Sequence, residues 1–219
     1  MAASMLRQAR FGREVRSAMA ASSDETPAAT SLRAHLRSAT MTAHDLLDHA
    51  MQAASGWQTR ADYARFLAVQ HAARVPIEQW LAAHAPAGHA PPPVQTTLIA
   101  QDLALLDTPL PPASAPFAPG PHAARGWIGA AWVLAGSALG NRAIARQVAR
   151  IGGGAWPVRF LADDAMIAYW QSLRTTIEEP APSGEAEAAT TAAQAVFAHF
   201  LAAVPRPQGS NPESESIVA

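Results

Sequence analysis

From Ser31 onward the apolar residues recur at spacings of three and four rather than two, and this period constrains the fold more than any other feature of the chain. Leu32, Leu36, Ala39, Ala43, Leu46, Leu47 and Ala50 make the first such run, with Ser31 placed to cap it and Gly56 and Trp57 to end it. A second helix is predicted from about Thr59 to Ala83, with Tyr63, Phe66, Leu67, Ile77, Trp80 and Leu81 as its core stripe and Pro76 as a kink. A short helix from about Val94 to Leu106 follows. A long block from Ala123 to Ile151 stops at Gly152, Gly153 and Gly154, and two further helices lie near Val158–Ile177 and Glu185–Val204. Alanine, the best intrinsic helix former, dominates the 49% apolar fraction. Aromatics are only 6% and β-branched runs are nearly absent, which argues against a sheet. The expectation is an all-α, single-domain helical bundle of about six helices.

Between the helices, Pro86–Pro93 and Thr108–Pro121 are loops by composition, the second with six prolines. Residues 1–28 carry Arg7, Arg10, Arg13 and Arg16, with Glu14 the only acid before Asp24. They read as a flexible basic arm or an extended start, with some likeness to a transit peptide; no apolar segment follows to suggest a secretory signal. The helical domain is expected over residues 29–204, and the polar segment from Pro205 to Ala219 as a disordered tail.

Composition also narrows function. A net charge of −1 gives no electrostatic footprint for nucleic acid. With no cysteine there is no disulfide, thiolate metal site or cysteine nucleophile, which fits a cytoplasmic location. The uncharged run Gly126–Asn141 is 16 residues with four glycines, short of the roughly 20 that a membrane span needs. It reads as a buried helix, and no membrane span is expected.

Two constellations could carry chemistry. On the first helix, Arg37, His44 and Met51 are seven apart and fall within about 20° of one line, while Asp48 lies one turn from His44. A carboxylate at that offset can accept from one imidazole nitrogen and leave the other free to ligate a metal. Arg37 would lie roughly 10 Å away on the same face, where a cation can pair with a ligand's carboxylate. On spacing alone the ordinary reading comes first: a surface or core histidine whose pairing with Asp48 is a solvated contact. The second constellation is Gly129, Gly136 and Gly140, within roughly 40° of one helix face. Each mid-helix glycine costs about 1 kcal/mol against alanine. Either a flat ligand or a closely packed helix requires that backbone to be bare.

The segments LRSATMTAHDLLDHA (Leu36–Ala50), DYARFLAVQ (Asp62–Gln70), IAQDLALL (Ile99–Leu106) and GAAWVLAGSALGNR (Gly129–Arg142) resemble, in order and spacing, the bacterial biliverdin-producing heme oxygenases. FLADDAMIAYW (Phe160–Trp170) and AQAVFAHFL (Ala193–Leu201) are similar to the closing helices of that family, so the likeness spans about Ser31 to Val204. The resemblance implies a heme-oxygenase-like bundle in which His44 is the proximal iron ligand and Asp48 the partner of its second nitrogen. Arg37 would meet a heme propionate. Gly136 and Gly140 would bare the distal helix over the heme, and Ser137 would anchor distal water. Heme is then both cofactor and substrate, cleaved to biliverdin, carbon monoxide and ferrous iron with electrons from an external donor, a ferredoxin or a reductase. The WVLAGSALGNR stretch is more like members that supply bilin to a bacteriophytochrome-type photoreceptor; iron recovery is the other role.

Trp132 stands where the family usually has a propionate-contacting tyrosine, Ala135 replaces a common glutamate, and Asn141 follows Gly140 in place of a small residue. These departures bear on propionate anchoring and distal hydrogen bonding and leave the proximal set complete. They motivate an alternative: a non-catalytic relative that binds heme or a protein partner. Di-iron oxidases of the same fold need Glu-x-x-His pairs on facing helices, and Glu78, Glu178, Glu179, Glu185 and Glu187 form none. His35, His49, His71, His84, His89, His122 and His199 make no recognisable ligand motif.

Overall fold

The computed structural model describes residues 30–55, 57–120 and 123–205. The expected basic arm, the tail beyond Pro205, and Gly56 and His122 fall outside the described residues. From Ser31 to Pro205 the described residues form one compact unit. Its elements are α1 (Leu32–Ala54), α2 (Arg60–Ala83), α3 (Thr96–Leu105), a 3-10 turn (Ala123–Gly126), α4 (Trp127–Ile151), α5 (Asp164–Ile177) and α6 (Ser183–Ala203). No strand occurs among the described residues, and the protein is an all-α bundle.

Local chemistry explains most of the boundaries. Ser31 caps α1, its hydroxyl accepting from Ala34 N at 3.3 Å. Thr59 and Asp62 form a reciprocal capping box at the start of α2. Asp163 caps α5 by accepting from the Ala165 and Met166 amides. That cap corrects the expected start of this helix at Val158. Phe160 and Leu161 are buried in the turns before α5 and imitate its apolar period. Leu46 also departs from expectation: it is 56% exposed, while Thr40 and Met51 complete the buried side of α1.

α6 is the axis of the bundle, with α1, α2, α4 and the 3-10 turn all packed on it. Its buried face carries Ala186, Ala189, Ala192 and Ala193, side chains small enough for neighbouring backbones to come close. α3 lies on α2, and α5 on α4. Apolar burial falls into three clusters: Tyr63, Phe66 and Leu67 with Ile99, Val148 and Phe160; Ile77 and Leu81 with Trp127, Leu134 and Phe200; and Leu32 and Leu36 with Ala135, Met166 and Ala193. The proline-rich stretch before the 3-10 turn has few amide donors, and it is pinned by the Ser114 amide, which donates to the Ala72 carbonyl at 3.0 Å, and by side chains. Phe117 is buried edge-on against Trp80 and His199, and Ser114 donates to the Ala72 carbonyl. No described helix is long and apolar enough to cross a membrane.

Candidate functional site

His44 lies midway along α1, its side chain 58% exposed, with the imidazole edge-on to Phe197 of α6. Nδ1 is 3.4 Å from Asp48 Oδ2 and 3.7 Å from Asp45 Oδ1. The helix therefore brings His44 and Asp48 together as the spacing requires. Neither contact is a formed hydrogen bond; a proton on Nδ1 would face the two carboxylates and would leave the lone pair on Nε2. Crowding by protein pushes the Asp48 carboxyl above its ordinary range, and His44 pulls it partly back. Arg37 is half-buried and Met51 buried, so the face shared by these three residues is open at His44 and closed one turn pair later.

On α4 the three glycines separate into two kinds. A β-carbon at Gly129 would overlap the carbonyl of Ala189 on α6, and one at Gly126 the carbonyl of Ala188. These glycines serve helix packing. At Gly136 the nearest atom to an added β-carbon would be the Trp170 ring at 3.6 Å, an ordinary contact. At Gly140 nothing among the described residues lies within 4 Å. Neither of these two is required by any described neighbour.

Beside Gly140, Leu139 is 51% exposed, and on α1 Met41 is 58% exposed. Trp132, half-buried against the cluster that holds Leu32, Leu36, Ala135 and Met166, has its indole N–H buried without a partner among the described residues. Asn141 is buried with its amide nitrogen likewise unpaired. Two unsatisfied donors on one helix are unusual, because each costs about 1–3 kcal/mol when left dry and unpaired. Ala135 is fully buried in the cluster with α6.

Ser137 is engaged by the protein itself. Its hydroxyl donates to Leu134 O at 2.7 Å and accepts from Arg74 Nη2 at 2.8 Å. Arg74 heads a buried polar network that joins four elements. It also donates to Gln70 and Gln95, Gln95 donates on to the capping Asp163, and Glu78 accepts from the Gln95 and Thr96 amides and the Thr96 hydroxyl. Sequence reasoning missed Arg74, although a signal was present. Leu67, Gln70, Arg74, Ile77 and Leu81 follow the core spacing of α2, so two polar residues interrupt an apolar stripe.

Taken singly, the accessible His44 imidazole, the two α4 glycines with no packing neighbour among the described residues, and the exposed Met41 and Leu139 are features that a heme site would use. Among the described residues no three His, Asp or Glu side chains come together as a metal-binding group. The sequence matches no protein-family model and no curated protein.

Proposed function

We propose that this chain binds heme between the exposed face of α1 and the glycine face of α4, and that it is a heme oxygenase. The observation that carries this reading is the contrast within α4. Gly136 and Gly140 each forgo about 1 kcal/mol of helix stability, yet no neighbouring backbone requires them bare. A flat ligand lying on the helix is a physical reason for that loss.

In this reading His44 ligates through Nε2 while Asp48 holds the Nδ1 proton, which fixes the tautomer and orients the ring. Phe197 limits rotation of the imidazole from the other side. Arg37 is the donor available to propionates, while the Trp132 N–H is enclosed and would have to be uncovered to serve as a second. The bare backbone at Gly136 and Gly140 admits a small molecule where side chains would exclude it. Heme, when bound, supplies the redox chemistry that ends in biliverdin, carbon monoxide and ferrous iron, with electrons from an external ferredoxin or reductase.

A non-catalytic heme-binding role is the second reading. It is favoured by Ser137, whose hydroxyl is already committed to Leu134 and Arg74 rather than free to donate toward a ligand. One experiment separates the two. Hemin is titrated into the purified chain and the Soret band followed; a reductant is then supplied in air. A saturable Soret shift that is weakened in His44→Ala, followed by growth of the biliverdin absorbance, supports the enzyme. A stable complex without conversion supports the second reading. Absence of any Soret shift overturns both.

A further inference from the structure

Arg74 is the buried cation of this bundle, at 1% exposure, and its surroundings are unusual for a charge so enclosed. All three of its hydrogen-bond acceptors are neutral: Gln70 Oε1 at 3.1 Å, Gln95 Oε1 at 2.8 Å and Ser137 Oγ at 2.8 Å. The guanidinium lies 5.0 Å from the Phe160 ring centroid and 5.8 Å from that of Phe200. Glu78, the nearby acid, uses its oxygens on the Gln95 amide and on Thr96. Burial pulls the guanidinium down to about 10, so it remains charged at neutral pH.

The consequence falls on Ser137, the residue between Gly136 and the rest of the glycine face. A serine hydroxyl has one proton and two acceptor positions. The proton is directed at Leu134 O, and one acceptor position is taken by Arg74. What remains is a single acceptor position, so Ser137 can receive a hydrogen bond without rearrangement but can give none.

We propose that Arg74 is a positioning residue for the ligand face of α4: through its hydrogen bond to Ser137 it fixes that hydroxyl as an acceptor beside Gly136 and holds this turn of α4 against α2. The proposal rests on the heme reading above. A guanidinium suits the task because its planar fork donates from three separate nitrogens to three spread acceptors, whereas an ammonium must direct every donor from one nitrogen.

The test is a double-mutant cycle on the full chain, with Arg74→Lys, Ser137→Ala and the double variant, and Ser137→Thr as the conservative control. Each is measured by urea unfolding without ligand, and by hemin dissociation rate and the visible bands that report iron spin state. Arg74→Lys is expected to alter those bands and speed hemin loss by about tenfold, and to have little further effect once Ser137 is alanine. Ser137→Thr, which keeps the hydroxyl, is expected to retain the wild-type bands. Should Arg74→Lys fail to fold, Ser137→Ala against Ser137→Thr carries the same comparison. Equal effects of Arg74→Lys in both serine backgrounds, or unchanged bands in every variant, would overturn the proposal and leave heme binding standing. No Soret shift in the unaltered protein removes the heme reading and the proposal together.

Discussion

At Gly129 an added β-carbon would collide with the carbonyl of Ala189, whereas three turns further along α4, at Gly140, it would meet nothing within 4 Å. Both positions lie on one helix and within one face by spacing, and both show the same residue in the sequence. In the first half of α4 the glycine is a packing device that lets two helices touch backbone to backbone, with the alanines of α6 making room on the other side. In the second half it has no such partner among the described residues. A glycine that packing requires and one that it does not cannot be told apart from the sequence; only the neighbours separate them.

The largest expected effect is at the closed end. Gly129→Ala forces the axial helix away from α4 and is expected to destabilise the protein by about 3 kcal/mol, the upper end of what overpacking a core usually costs. Urea unfolding would show it as a lower midpoint. An unchanged midpoint would mean that α4 and α6 are less closely apposed than the backbone indicates, and the contrast between the two halves would collapse.

Gly140→Ala is expected to act in the opposite direction. With no atom in the way, the substitution gains about 1 kcal/mol of helix stability, raising Tm by roughly 2–4 °C in a chain of this size. The same variant is expected to hold hemin less tightly, because the new methyl group occupies the face left bare. Stability gained with hemin retention lost is the signature of a position kept as glycine for a ligand. Stability gained with retention unchanged would break the heme reading at this residue. Gly136→Ala is expected to lie between, since the Trp170 ring at 3.6 Å receives the methyl as an ordinary contact.

How far the sequence could be read follows from the range of the interactions involved. Helices announce themselves locally, through apolar period, caps and alanine content, and the stripe Tyr63, Phe66, Leu67, Ile77 and Leu81 is buried as that period requires. The pair His44–Asp48 was legible for the same reason, because one helical turn sets its distance. Leu46 was misread because periodicity gives a face, not the presence of a neighbour to cover it. The onset of α5 was misread because Phe160 and Leu161 are buried by tertiary contacts while still in turns. The Arg74 network joins residues 21 and 63 positions apart, and no local pattern predicts which partners will meet. The fold was therefore legible from short-range chemistry, and the polar interior behind α4 was not.

The smallest expected effect extends the contrast between closed and open groups to α6. His199 is half-buried where the proline-rich stretch crosses α6, with Nε2 2.8 Å from Ser114 Oγ. Desolvation lowers its pKa, with a backbone hydrogen bond at Ala73 opposing. His71 on α2 is lowered by desolvation in the same way, with Glu78 opposing. A histidine that resists protonation when folded is protonated more readily when unfolded, so acid favours the unfolded chain. The contribution of these two residues is complete above the unfolded value near 6.5 and is lost as the pH falls through their lower folded values. Stability by urea unfolding is thus expected to decline modestly between pH 7.5 and 5. In His199→Asn, which keeps a polar side chain that does not titrate there, the decline is expected to be shallower. An equal decline in both proteins would mean that Ser114 and its loop leave His199 as open to water as the exposed His44, and the closed end of α6 would need to be redrawn.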